Sequence, residues 1–247
     1  MFAQALVQGS SRGIGLEFVR QLLMRPESRH VFATARNPNA SSELMALKTS
    51  AGDRLTLLPL DVTDEASIQR CRDAVRERTD RLHLLVNVAG VLHGPDMKPE
   101  RRLEDVKPDV LMRAFMVNAA GPVLMGKHFR DLLCHDERAV LASLSARIGS
   151  IEDNRIGGWY AYRASKAAQN QFLRTMAVEF RRKSPRVAVI ALHPGTVDTG
   201  LSKPFQRSAK KLFTPEISVQ KLMAVVEGVK PEDSGSFFAY DGTRIPW

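Results

Sequence analysis

Short apolar runs alternate with longer stretches of helical periodicity along the whole of this 247-residue chain. The runs fall at 3–8, 31–35, 55–60, 84–87, 140–144, 187–192 and 236–240, each the length of one strand and nearly continuous in apolar residues. Between them, apolar residues recur three and four apart at about 14–25, 65–78, 108–117, 122–133, 160–182 and 215–229, which predicts amphipathic helices. Strands that are apolar on both faces and separated by helices point to the α/β class, with a seven-stranded parallel sheet covered on each side. No Gly/Pro/Ser-rich linker, charge run or internal repeat interrupts the alternation, so residues 1–247 read as a single domain.

Composition narrows the setting. Apolar residues make up 44% of the chain, enough for one sizeable core, yet no run approaches the ~20 residues that cross a bilayer. The chain enters Ala5-Leu6-Val7 without a basic leader, and the expectation is a cytoplasmic protein without stable membrane insertion. Cys71 and Cys134 are too few for a disulfide framework and lack metal-ligand spacing, so no metal is expected. The net charge of +9 would suit nucleic acid, an acidic membrane surface or a phosphorylated ligand. Its densest groups, Arg101-Arg102, Arg181-Arg182-Lys183 and Lys210-Lys211, are scattered and carry no interleaved aromatics, so they read as solvated faces and no nucleic-acid partner is expected.

Candidate chemistry begins where the first run ends. Gly9, Gly13 and Gly15 flank Ser11, Arg12 and Ile14 between a strand and a helix. Such a turn brings backbone N–H groups and a helix start close to a pyrophosphate, although Gly-x3-Gly-x-Gly departs from the Gly-x-Gly-x-x-Gly fingerprint. The second run ends Ala35-Arg36, where an acidic residue would hold a free ribose 2′-hydroxyl and an arginine a 2′-phosphate. Arg12 and Arg36 together favour NADP(H) over NAD, against the plainer alternative of two surface arginines. Asp61-Val62 after the third run and Asn87-Val88-Ala89-Gly90 after the fourth fit an adenosine lying against the strand ends, though either alone would serve as a cap or turn. Tyr162 and Lys166 stand four apart on the longest helix, so a phenol and an ammonium share one face. A cation beside a phenol favours phenolate and makes a general acid/base pair, whereas the plainer alternative is a half-buried Tyr over a solvated Lys.

In this order, with Asn118, a serine after the fifth run, and Pro194-Gly195 after the sixth, these motifs resemble the short-chain dehydrogenase/reductase family over nearly the whole chain. The segments beginning at Ser145, Gly157 and His193, and the terminal Asp241-Gly-Thr-Arg-Ile-Pro-Trp, are similar to its C-factor-like branch. The resemblance implies one doubly wound Rossmann domain and hydride transfer between NADP(H) and a small-molecule carbonyl or alcohol. It implies Tyr162 as the acid/base, Lys166 as the residue that lowers the Tyr162 pKa and binds the nicotinamide ribose, and Asn118 as the holder of a water behind Lys166. It implies that Pro194, Gly195, Val197 and Thr199 wrap the nicotinamide and pyrophosphate. The second hydroxyl donor is taken as Ser145, with Ser143 or Ser150 as alternatives, although strict registration puts Ala146 in that place. Gln8 stands where many relatives carry Thr. His193 reads as a satisfied structural histidine, and Trp159 and Tyr160 as pocket lining or packing.

The function expected is an NADP-dependent oxidoreductase. An NADP-binding regulatory protein of C-factor type with little turnover is the alternative, and a nucleic-acid binder ranks far below. Substrate selection is expected from 94–106 and 201–214, with Lys98, Arg101, Lys203 and Arg207 as candidate cations. A homodimer or homotetramer is expected through helices at 108–133 and 160–182.

Overall fold

The computed structural model describes residues 2–208 and 211–247; Lys210 of the Lys210–Lys211 pair lies outside the described residues. In chain order the elements are β1 (Gln4–Gln8), α1 (Gly13–Leu23), β2 (His30–Ala35), α2 (Ser42–Ala51), β3 (Leu55–Pro59), α3 (Glu65–Arg76) and β4 (Leu84–Asn87). Then follow α4 (Pro108–Phe115), α5 (Gly121–Leu133), β5 (Ala139–Leu144), α6 (Tyr160–Lys183), β6 (Val187–His193), β7 (Thr196–Val197), β8 (Leu212–Phe213), α7 (Pro215–Gly228) and β9 (Ser236–Ala239).

The main sheet is seven-stranded and parallel, in the order β3-β2-β1-β4-β5-β6-β9. Because successive side chains of a strand point to opposite faces, the continuous apolar runs feed two cores at once. Val7, Val86, Val140 and Ile190 pack with α1 and α7 on one face, while Leu6, Leu85, Leu141 and Val189 pack with α3, α5 and α6 on the other. The edge at β9 is covered by the chain's own end: the Ile245 N–H donates to the Phe237 carbonyl at 2.8 Å, and Trp247 stacks on Phe237 with ring centroids 5.7 Å apart. All strands run the same way, so their carboxyl ends share one rim, and the order in which strands are added to the sheet reverses between β1 and β4.

Three elements differ from the sequence expectation. α2 has no counterpart among the predicted helices because Leu44 is its only fully buried residue and its apolar stripe is faint; Ser41 nonetheless caps it, accepting from the Leu44 N–H at 3.3 Å. The helices predicted at 108–117 and 122–133 are one continuous rod. Pro122 has no N–H to return to the carbonyl of Asn118, and the chain absorbs the loss by widening into a π turn over Met116–Ala120, closed by the Gly121 N–H on the Met116 carbonyl. The pair β7 and β8 is two residues each, below the length at which a periodicity can be read. No helix among the described residues is long and apolar enough to cross a membrane.

Candidate active site

The site assembles along the carboxyl rim of β1, β4, β5 and β6. At the β1 exit, Gly9 takes φ 87° and gives both its own N–H and that of Ser10 to the Thr34 carbonyl, at 3.0 and 2.8 Å. A Cβ on Gly9 would lie 2.7 Å from the Ala89 backbone nitrogen, and one on Gly15 would overlap the Gly9 carbonyl oxygen. Bare backbone therefore lines this turn. α1 opens behind it with Arg12 at the N-cap, no side chain on its free N–H groups, and no acidic residue in the first turn. An uncapped helix start flanked by an exposed guanidinium fits an anion such as a pyrophosphate.

Neighbouring segments close on this turn. Gln8 ties the β1 exit to the β4 exit: its Oε1 accepts from the Ala89 N–H at 3.1 Å. Thr199 reaches the glycine turn from the far side, 3.2 Å from where a Cβ of Gly13 would stand. Val197 is buried in the β7–β8 pair, and the Ser218 hydroxyl holds the Pro194 carbonyl at 2.9 Å. Arg36 is exposed at the β2 exit beside Asp61. Partial burial opposes ionisation of Asp61, but hydrogen bonds from the Thr63 hydroxyl and N–H at 2.7 and 2.9 Å, with Arg36 nearby, hold it below the usual carboxylate range. Neither Arg12 nor Arg36 forms an ion pair among the described residues.

α6 carries the acid/base candidates. It starts abruptly: Gly157, Gly158 and Trp159 all have positive φ, and Trp159, at 53°, is the one non-glycine residue described in that region. The strain is met from a distant loop. The Glu100 carbonyl accepts the Trp159 N–H at 2.6 Å, and the buried Glu100 carboxylate accepts the Ala161 N–H at 3.3 Å, supplying the N-terminal cap that α6 lacks locally. Trp159 then lies edge-on to Tyr162 and to Phe205, with centroids 6.3 and 4.7 Å apart, while Tyr160 is exposed.

One turn on, Tyr162 and Lys166 are both buried, with the Lys166 amine 5.8 Å from the Tyr162 ring centroid. Lys166 Nζ donates to the Leu144 carbonyl at 2.7 Å and to Gln169 Oε1 at 2.9 Å. Burial pushes the Tyr162 phenol up and draws the Lys166 ammonium down to about 7. The expected lowering of the phenol by the ammonium is therefore outweighed in this arrangement: desolvation acts on both groups, and Lys166 is anchored on Leu144 and Gln169. Among the described residues the Tyr162 hydroxyl takes no hydrogen bond, which leaves a protonated phenol free to donate.

The remaining predicted residues divide. Asn118, turned inward by the π turn, grips Val91 in both directions, at 2.8 and 2.9 Å, and donates to Ser165 at 3.0 Å, so its side chain is occupied in joining the β4 exit to α6. Gly90 sits between them, its would-be Cβ 3.3 Å from Asn118 Oδ1 and 3.7 Å from Lys166 Nζ. Ser145 is buried and donates to Asn170 Oδ1 at 2.7 Å; Ser143 accepts from Asn87 Nδ2 at 2.9 Å; Ser150 donates to the Trp247 carbonyl at 3.3 Å. Ala146 is only half-buried. His193 is not the satisfied histidine expected: its Nδ1 is buried without a partner, and burial, with Arg147 nearby, holds the ring neutral with a pKa of about 4. Gln169, Asn170 and Glu100 escaped the sequence reading. The first two were detectable as polar residues three and four after Lys166 on an apolar face, whereas nothing local marks Glu100.

A family model for short chain dehydrogenase matches residues 3–210. The chain belongs to the short-chain dehydrogenase family. An uncharacterized oxidoreductase of Schizosaccharomyces pombe is 32% identical to this short-chain dehydrogenase over 253 residues, covering 98% of this chain and 96% of its own. The C-signal protein of Myxococcus xanthus is 37% identical over 145 residues, covering 59% of this chain and 83% of its own. The NADPH-bound carbonyl reductase from chicken fatty liver superposes with a TM-score of 0.88 at 30% identity, covering 99% of each chain.

The depressed Lys166 pKa makes a stability prediction for this family member. The folded state releases the Lys166 proton near 7 and the unfolded chain near the ordinary 10.5, so between these values the unfolded state binds more protons and stability rises with pH. Urea unfolding without ligand should show wild type gaining up to about 1.4 kcal/mol per pH unit relative to Lys166→Met across that window. Parallel pH profiles for the two proteins would remove Lys166 from its buried, weakly basic state.

Proposed function

We propose that this short-chain dehydrogenase is an NADP(H)-dependent reductase of small-molecule carbonyl compounds, with Tyr162 as the proton donor. The observation that carries the reading is the burial of Tyr162 and Lys166 on one face of α6, with the Lys166 amine beside Gly90, at the rim that also holds the uncapped glycine turn. The chicken carbonyl reductase is NADPH-bound, and the fit of this chain's own turn supports the same cofactor here. When bound, the reduced nicotinamide supplies hydride to the carbonyl carbon.

The chain's residues do the rest. Arg12 and Arg36, both exposed and free of ion pairs among the described residues, grip the 2′-phosphate, and the N-terminus of α1 meets the pyrophosphate. Two of the three Lys166 N–H donors are spent on Leu144 and Gln169, leaving the third for a ribose hydroxyl. Tyr162 gives its proton to the substrate oxygen as that oxygen gains charge, and the high pKa of its buried phenol keeps it protonated at neutral pH, which favours the reductive direction. Trp159, itself packed edge-on against Phe205, stands as an apolar wall next to the Tyr162 ring and keeps water from it. Ser145 is a second candidate donor, engaged on Asn170 until substrate competes for its hydroxyl.

Likeness to C-signal supports a second reading, in which cofactor occupancy rather than turnover is the output. Self-association is proposed through α4 and α6, where Met112, Phe115 and Val178 are exposed at 60%, 38% and 47%.

Against a panel of carbonyl compounds, wild type should oxidise NADPH, and Tyr162→Phe should bind NADPH normally while turnover falls about 10²- to 10⁴-fold. Binding without oxidation of NADPH on any substrate would favour the regulatory reading. Replacing Arg12 and Arg36 together by Ala should weaken NADPH by about 10²-fold or more, each lost charge-assisted contact costing about 1.5–3 kcal/mol, while NADH affinity stays constant. An equal loss for both cofactors would deny the arginines the 2′-phosphate. Sedimentation of Phe115→Glu should reveal a smaller species than wild type if α4 is the self-association face.

A further inference from the structure

Gln169 is a polar side chain at 1% exposure on the face of α6 that otherwise buries Leu173, Met176, Ala177 and Phe180. An amide placed there is costly unless bonded, and both of its ends are bonded to one centre: Oε1 accepts from Lys166 Nζ at 2.9 Å, and Nε2 donates to the Leu144 carbonyl at 3.4 Å. That carbonyl also accepts from Lys166 Nζ at 2.7 Å. Lys166, Gln169 and the β5 exit thus close a three-membered ring of contacts, with the ammonium as its only charge.

Resting on the reductase reading of this site, we propose that Gln169 is a positioning residue: it keeps the buried Lys166 amine protonated and fixed at the β5 exit, and so sets the pH range over which the site works. The groups facing the amine are otherwise neutral. Tyr162 is the titratable group on its own helix, Gly90, backed by Asn118 of the π turn, approaches from the β4 exit, and the Leu144 carbonyl from the β5 exit. Burial is the cause that lowers the Lys166 pKa, and among the described residues Lys166 has no ion pair. An uncharged acceptor is then what offsets the desolvation. A carboxylate in its place would fix the charge permanently, and an aliphatic side chain would let the proton leave.

The test uses the full chain without ligand, with ¹³Cε-labelled lysine followed by NMR as pH is raised, the Lys166 signal being assigned by its loss in Lys166→Met. Gln169→Met should lower the Lys166 midpoint by about 1 pH unit, a tenfold change, and Gln169→Glu should raise it above wild type. With NADPH and a carbonyl substrate, the alkaline limb of kcat should move in the same two directions. Equal midpoints in all three proteins, or an activity loss in Gln169→Met that is uniform in pH, would overturn the proposal and leave Gln169 as packing. Should Gln169→Met fail to fold by near-UV circular dichroism, the sign of the Gln169→Glu shift decides alone. The midpoint needs no turnover: midpoints that move in a protein that oxidises no NADPH uphold Gln169 and reject the reductase reading, and turnover with unmoved midpoints does the reverse.

Discussion

The site depends on a buried polar seam between α6 and the segment leaving β5. Lys166 and Gln169 converge on the Leu144 carbonyl, and Asn170 accepts from Ser145 while donating to the Gly149 carbonyl at 3.4 Å. These bonds lie within the layer where the helix otherwise buries leucine, methionine and phenylalanine, so water cannot replace any that is lost. The seam fixes both the rotation and the height of α6 on the sheet. Tyr162, one turn before Lys166, is thereby delivered to the rim with its hydroxyl uncommitted.

Desolvation governs the chemistry as much as the neighbouring charge does. A site dry enough to pull a lysine down to about 7 also pushes a phenol up, and the two shifts favour a neutral, proton-bearing tyrosine. At the other end of the rim the demand is opposite: a bare backbone turn, an uncapped helix start and exposed arginines offer an anion full hydrogen bonding close to water. One continuous parallel sheet holds both environments in register, since every strand delivers its exit to the same side.

Two local irregularities connect the halves, and each has a physical origin in the chain. Pro122 removes an N–H and forces the π turn that swings Asn118 onto Val91 and Ser165. Trp159, held at positive φ, starts α6 without a cap of its own and depends on Glu100, far away in sequence, for the missing acceptor. Such departures from regular geometry gather where α6 and the β4 exit meet, the place where precision is needed.

The sequence by itself determined the class of fold, the strand exits and the presence of Tyr162 and Lys166 on one helical face, because periodicity and glycine spacing are local properties that act within a few residues. It also determined the glycine turn and its arginines. α2 was illegible because a helix burying a single leucine leaves almost no periodic trace, and the break read at Pro122 ignored a widening that only packing on both sides can stabilise. What each hydroxyl, amide and ammonium does was decided by tertiary structure alone. Leu144, which holds the Lys166 amine, and the partners of Ser145, Gln8 and Glu100 lie between 22 and 81 residues away, and burial, which sets the pKa of the tyrosine and lysine, exists only once the helices close over the sheet.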